Sequence, residues 1–184
     1  MNATDSPTQP RDVMVRPCTD ADWDVALSLV RRVYVQDGYT SASRATQAYT
    51  QQQLSAGGLV LVAHDTTTIL GIVVLVSSGS PLSQLAGESE AEFRLLAVAP
   101  ESRGRGVGER LVMECIDRAS KPPQSAQRMI ICTQPSMKAA QRLYERCGFV
   151  RLPDRDFSVS SSNQINQSSQ RLVYVKEIQT HTTH

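Results

Sequence analysis

The sequence predicts a single α/β or α+β domain built on a mixed sheet. Three observations point there. Short β-rich runs alternate with segments whose apolar residues recur at helical spacing. The strand-like run 90–98 leads into a glycine-rich turn at 103–108 and then directly into a helical pattern. A chain of 184 residues, 40% of them hydrophobic, is long enough to bury one core and short enough to need only one.

Residues 13–16 read as a first short strand. Thr19 and Asp22 have the spacing of a capping box, so they open a helix. Trp23, Ala26, Leu27, Val30 and Val33 carry its apolar face to about Tyr34, and Trp23 belongs to the core. Residues 35–43, with Asp37-Gly38-Tyr39, form a loop. One helix is expected over 44–55, with a thin apolar face and Gly57-Gly58 at its end. Residues 59–63 and 69–76 are β-rich, and the polar stretch 65–68 turns one into the other. Residues 77–89 form a long serine- and glycine-bearing surface loop, a mobile insertion or a functional one.

After the strand at 90–98 and the glycine turn, residues 109–119 continue a helix. Val107, Leu111, Val112, Cys115, Ile116 and Ala119 mark its face, and Pro122-Pro123 stops it. Residues 128–132 are a short strand. Pro135 or Ser136 opens the next helix, whose face is Met137, Ala140, Leu143, Tyr144 and Cys147, with Gly148 closing it. Residues 149–152 and 171–176 are the last strands. The polar, serine-rich 153–170 reads as a solvent-facing connection. One domain is expected over 12–178, with flexible ends at 1–11 and 179–184.

Composition excludes several classes. With 19 basic and 18 acidic residues the net charge is +1, which gives no general attraction for nucleic acid or an acidic membrane. Cys18, Cys115, Cys132 and Cys147 show no CxxC spacing and sit in or beside apolar patterns, as free thiols do. His64, His181 and His184 have no metal spacing, so no metal is expected. The first residues lack a basic start followed by an apolar run, and no window reaches membrane-span length. A cytoplasmic protein is the resulting expectation.

The turn carries the chemistry. Where a strand bends sharply into a helix, several backbone N–H groups have no partner. Gly104, Gly106 and Gly108 let the chain bend and let a ligand approach the main chain. The helix dipole and the side chains of Arg103 and Arg105 favour an anion there, so the turn suits a phosphate or pyrophosphate.

Two blocks now carry a family resemblance. Residues 96–108, with Arg103, Gly106 and Gly108 at the defining positions, resemble the acetyl-CoA motif of the GCN5-related N-acetyltransferase (GNAT) family. Residues 140–149, with Tyr144 and the Gly148-Phe149 pair, resemble that family's later helix. The element order also fits, so the resemblance spans nearly the whole chain. It implies a GNAT-like mixed, mostly antiparallel central sheet flanked by helices. The sequence departs from the family at Met137, where many relatives carry asparagine; Ser136 or Thr133 offers a hydroxyl nearby instead.

The resemblance further implies an N-acetyltransferase that moves an acetyl group from acetyl-CoA to a primary amine of a small molecule or peptide. The backbone of Leu96, Ala97 and Val98 would satisfy the cofactor's amides, aided by a bulge that splays this strand from 128–132. The turn Arg103, Gly104, Arg105, Gly106, Val107 and Gly108 would hold its pyrophosphate, with Ser136 near. Glu92 is the first candidate for general base and Glu90 the alternative, since both share strand parity. Tyr144 would protonate the departing thiolate. Tyr34, Asp37 and Tyr39 would line the acceptor site, and Tyr49 is a further rim candidate. Homodimerisation is a family expectation without an interface stripe to support it here. The competing reading is a catalytically inactive acyl-CoA-binding sensor or regulatory module. A Rossmann-type dinucleotide domain fits poorly, because the glycines follow several strands and no suitable acidic residue closes a later one.

Overall fold

The computed structural model describes residues 12–160 and 168–178. The expected flexible ends lie outside these residues, as does the middle of the serine-rich connection. The elements run β1 (Met14–Pro17), α1 (Trp23–Gln36), α2 (Ala42–Ala48), α3 (Gln51–Gly57), β2 (Leu59–His64), β3 (Ile69–Ser77) and β4 (Glu90–Val98). There follow α4 (Val107–Ala119), β5 (Arg128–Thr133), α5 (Lys138–Arg146), β6 (Val150–Arg151), β7 (Phe157–Ser160) and β8 (Ser168–Glu177). The strands form one sheet in the order β1-β2-β3-β4-β5-β8-β6, with β7 on β8. Every pairing is antiparallel except β4 with β5.

Each face of the sheet has its own core. On one, Leu61, Val73, Ala91, Phe93, Met129 and Ile131 meet Leu111, Val112 and Cys115 of α4 and Tyr144 of α5. On the other, Val60, Val62, Ile72, Val74 and Ala97 meet Trp23, Ala26, Val30 and Val33 of α1 and Leu54 of α3. Strand alternation produces this division, since successive side chains leave opposite faces. Leu111 and Leu54 are fully buried, each contributing about 1.5–3 kcal/mol by area removed from water.

The capping box is formed. The Thr19 N–H and hydroxyl both donate to Asp22 Oδ2 at 2.7 Å, and Arg16 clamps the same carboxylate at 2.5 and 3.0 Å. The expected helix over 44–55 is two helices. Thr50 caps a new one, its hydroxyl accepting from Gln53 N at 3.3 Å, and so breaks the first at Tyr49. The break frees the Tyr49 carbonyl, which takes two hydrogen bonds from Arg31 at 2.6 and 3.1 Å. Gly57 and Gly58 end α3 for reasons of space. A Cβ on Gly58 would lie 2.2 Å from the Leu75 carbonyl oxygen, and one on Gly57 2.1 Å from Leu82.

The polar connection 153–170 also differs from expectation. It contains β7, which pairs with β8 from Phe157↔Arg171 to Ser160↔Ser168, and β8 starts earlier than the apolar pattern suggests. Serines on both faces give no alternation to read, so backbone pairing sets this hairpin. Among the described residues, no helix is long and apolar enough to cross a membrane.

Asp22 is held by Arg16 first, and by Thr19, well below the usual carboxylate range despite its burial. A lowered folded pKa means that its stabilisation is present above the unfolded value, about 4, and is lost as pH falls through the folded one. Asp22→Ala is expected to cost about 1–2 kcal/mol in urea unfolding at pH 7, the scale of a lost cap. Its deficit against the native chain should shrink as pH falls below about 4.

Candidate active site

The site is built on a fault in β4. Val74 pairs with Arg94 and Ile72 with Ala97, so Leu95 and Leu96 together oppose the single residue Val73. Leu95 sits at φ 55°, a strained left-handed conformation for a branched side chain. The bulge reverses parity. Ahead of it Ala91 and Phe93 face α4, while beyond it Leu96 and Val98 face α4 and Leu95 and Ala97 face α1. Glu90 and Glu92 both precede the bulge and keep a common parity.

On its other edge β4 pairs with β5 only through Glu90↔Arg128, Ala91↔Met129 and Glu92↔Ile130. Past that point β5 continues against β8 as far as Thr133↔Leu172, whereas β4 continues against β3. The two strands therefore part, and the edge of β4 from Phe93 onward has no ladder partner on the β5 side. A gap opens through the middle of the sheet, flanked by α4 and α5 on one face and by α1 on the other.

Aromatic side chains stand on both faces of this gap. Tyr144 is buried among Phe93, Phe149 and Tyr174, with ring centroids 5.7–6.1 Å away. Opposite, Tyr34 makes edge contacts with Tyr39 at 5.8 Å and Tyr49 at 5.6 Å. Burial raises the Tyr144 pKa, and the neighbouring Cys132 and Tyr39 add to it. Tyr34 is partly exposed, yet its dense surroundings push its pKa well above the ordinary value, and Tyr144 is the next contributor. Tyr34 on α1 and Tyr144 on α5 lie on opposite faces of the sheet, and the gap is the opening between them. Burial pushes the Cys132 thiol up to about 11, with the Glu92 carboxylate adding to it.

The two carboxylates have different surroundings. Glu92 is fully buried. Its Oε2 accepts from Gln84 N at 2.9 Å and Leu85 N at 3.0 Å, in the 77–89 loop. Its Oε1 has no hydrogen-bond partner among the described residues and lies 3.7 Å from Arg94 Nε. Glu90 is clamped by Arg128 at 2.7 Å, Arg155 at 2.9 Å and Gly87 N at 2.9 Å. Desolvation acts to raise the Glu90 pKa, but the Gly87 and Arg155 hydrogen bonds and the two arginine charges outweigh it, and the net shift is downward. The loop is thus fastened to the sheet, with Ser80 also donating to Gly57 O at 2.6 Å and Arg94 to Leu82 O at 2.7 Å.

The glycine turn joins β4 to α4 through a 3-10 turn at Pro100–Ser102. Gly104 and Gly106 take φ 79° and 76°, which glycine adopts without steric cost, and a Cβ on either would face open space. Gly106 caps α4, and Arg110 N–H closes the first turn on Gly106 O at 3.0 Å. The N–H groups ahead of Arg110 have no helical carbonyl to bond. Gly108 serves packing, since a Cβ there would come within 3.0 Å of Leu143 on α5. Val107 points into the α4 core.

Asp37 and Arg103 bond each other at 2.7 Å, so the turn is tied to the loop after α1. Arg105 lies 3.7 Å from Asp65. Ser136 is exposed, in the turn that Gln141 braces through Gln134 O and Pro135 O. Thr133, at the end of β5, is buried, and its hydroxyl has no partner among the described residues. Sequence reasoning did not single out Arg94 on β4 or Arg171 on β8. Arg94 was detectable by the period-2 rule, standing two residues after Glu92. Two concavities of about 370 and 300 Å³ are present, one beside Met113, Asp117 and Lys176 and the other beside Ser77, Pro123, Gln124 and the start of β4 at Glu90.

Residues 26–149 match the model of the Acetyltransferase (GNAT) family, and the chain belongs to that family. A curated relative, mycothiol acetyltransferase from Renibacterium salmoninarum, is 24% identical over 152 residues, covering 82% of this chain. The chain spans 44% of that relative's length. Among solved structures, an N-acetyltransferase from Staphylococcus aureus Mu50 superposes with a TM-score of 0.67 at 14% identity, covering 91% of this chain and 99% of that one. A putative acetyltransferase from Salmonella typhimurium, solved with its cofactor acetyl-CoA, gives 0.64 at 16% identity, with coverage of 94% and 98%. At these identities the structural likeness establishes the fold, which matches the expected mixed, mostly antiparallel sheet.

Glu90→Gln is expected to destabilise the fold by about 2–4 kcal/mol, because it strips two arginines of a buried partner. Chemical denaturation measures this. The lowered Glu90 pKa places its contribution above about pH 4 and removes it as pH falls further.

Proposed function

We propose that this protein is an acetyl-CoA-dependent N-acetyltransferase acting on a primary amine. The observation that carries the reading is the gap between β4 and β5, with the open glycine turn beyond the end of β4. The residues present fit the donor. The unpaired β4 edge at Leu96, Ala97 and Val98 offers backbone groups to an extended amide-bearing arm. The N–H groups of the turn, with Arg103 and Arg105 beside them, suit a pyrophosphate. The left-handed Gly104 and Gly106 keep side chains out of that space. Thr133 and Ser136 are the hydroxyls nearest the end of β5, and the buried, unbonded Thr133 is the stronger candidate. The inactive-sensor alternative has no observation in its favour.

Acetyl-CoA supplies an acyl group activated as a thioester. A new C–N bond then replaces the C–S bond, and the amine must shed a proton. Glu92 is the proposed acceptor of that proton, directly or through water. Its Oε2 is held by the loop and its Oε1 is free of hydrogen bonds. Glu90, committed to two arginines, is the weaker candidate. Tyr144 would hydrogen-bond the sulfur as it gathers charge. Because burial raises its pKa, Tyr144 keeps its proton at neutral pH. That favours donation of a hydrogen bond over complete transfer to a thiolate. Tyr34 and Tyr39 would rim the acceptor side. Asp37 reaches it only by sharing its carboxylate with Arg103.

Calorimetry with acetyl-CoA and thiol release across a panel of primary amines test the reading; binding without release to any amine would favour the sensor. Gly106→Val should weaken acetyl-CoA binding at least about tenfold, since a β-branched residue is strained at φ 76° and fills the anion space. Unchanged affinity in a folded variant would remove the turn from the site. Glu92→Gln, which keeps an oxygen for the loop N–H groups, should slow transfer most at pH values where the amine is protonated. Tyr144→Phe should lower kcat more than acetyl-CoA affinity. A loss from Glu92→Gln that is uniform across pH would assign Glu92 to structure instead.

A further inference from the structure

We propose that the acceptor is a primary amine that also carries a carboxylate or phosphonate, which Arg94, Arg171 and Arg44 bind on the α1 face of the β4–β5 gap. The inference rests on the acetyl-transfer reading above and narrows the substrate of the same site.

Strand parity brings the first two arginines together. Ala91 and Phe93 of β4 face α4, so Arg94, like Glu92, faces α1. Met129 and Ile131 of β5 face α4, which turns Cys132 the other way. On β8, Leu172 and Tyr174 belong to the α4 side, so Arg171 shares the face of Cys132 and Arg94. Strands β4, β5 and β8 are adjacent, and the gap lies between the first two. Tyr49 closes the arrangement from the helical side, fixed by Arg31 on its carbonyl and by its ring contact with Tyr34. Burial raises the Tyr49 pKa, and the charges of Arg94, Arg44 and Arg171 all oppose it. The three guanidinium groups thus share the side of the sheet on which Tyr49 stands.

These arginines hold no carboxylate oxygen within 3.0 Å, which among the described residues is true also of Arg31, Arg105, Arg110, Arg142 and Arg146. Seven other arginines each hold a carboxylate oxygen within 3.0 Å. Arg94 donates only to the Leu82 carbonyl and stands 3.7 Å from Glu92, beyond hydrogen-bond range. Arg171 donates only to Ser169 and Gln170. The Arg44 side chain has no partner among the described residues. Three positive charges thus converge where Glu92 is the local acid, and its Oε1 is buried without a hydrogen bond. An ammonium fits that oxygen, and an anionic group on the same molecule fits the arginines, which favour planar or tetrahedral oxyanions through paired N–H donors. A purely cationic amine would leave these arginines without an anionic partner.

The test uses the full chain saturated with coenzyme A and reads amine binding by calorimetry, so that it does not depend on turnover. Two matched pairs serve as probes: L-phenylalanine against 2-phenylethylamine, and 3-aminopropylphosphonate against propylamine. In at least one pair the acidic member should bind about tenfold or more tightly, the scale of one charge-assisted hydrogen bond. Arg171→Gln, and separately the exposed Arg44→Gln, should pull that ratio toward one, while Arg171→Lys should retain part of it. Equal binding within both pairs, tighter binding of the neutral amines, or no binding of either acidic member overturns the inference. Failure to bind acetyl-CoA, or to release thiol with any amine, strikes the acetyl-transfer reading instead.

Discussion

The structure depends on the bulge at Leu95–Leu96. A regular β4 would pair with β5 along its whole length and close the sheet. Because two residues face one on β3, β4 bends away after Glu92↔Ile130 while β5 follows β8. The strain of a left-handed Leu95 is offset by its packing against the α1 core and by the uninterrupted β3 ladder on either side. The functional proposals all draw on this fault. The free edge of β4, and the opening between the faces that carry Tyr34 and Tyr144, exist because the sheet does not close.

Glu90 and Glu92 show how surroundings separate two like residues on one strand. Both are buried, both face α1, and both receive N–H groups from the same loop. Glu90 also receives two guanidinium groups at 2.7–2.9 Å, which hold it ionised and join the loop to β5 and to the turn after β6. Glu92 receives none within hydrogen-bond range, and one of its oxygens is unbonded. A buried acid with all its partners is a structural joint, whereas one with an oxygen to spare retains the capacity to take a proton or a cation.

Much of the fold was legible because its signals are local. The boundaries of β4, the Thr19–Asp22 capping box and the face of α4 follow from short-range pattern alone. The break at Tyr49 was legible in principle, since Thr50 and Gln53 have capping spacing, but the thin apolar face masked it. The β7–β8 hairpin gave no period to detect, because serine occupies both faces. At the site, the glycine turn was proposed from its strand–glycine–helix pattern and Tyr144 through motif resemblance. Arg94 and Arg171 were not singled out because the role proposed for them depends on which strands become neighbours. A single sequence does not display that property.

Asp37 shows why residue roles at this site cannot be assigned one at a time. Its sequence position, in the loop after α1, suggested a partner for the acceptor's amine. Its bond to Arg103 instead links that loop to the turn proposed for the pyrophosphate. The pair is short and partly exposed, with Arg103 half exposed, so it is a weak tether that a stronger anion can outcompete. A pyrophosphate at the turn would draw on the same guanidinium, and each contact it gained there would release some of Asp37's charge toward the acceptor side. Donor and acceptor binding would then be coupled through one carboxylate, and by linkage the coupling would act equally in both directions. The α1 face would change its net charge as the turn filled, which would help the proposed acceptor site to hold an ammonium beside Glu92.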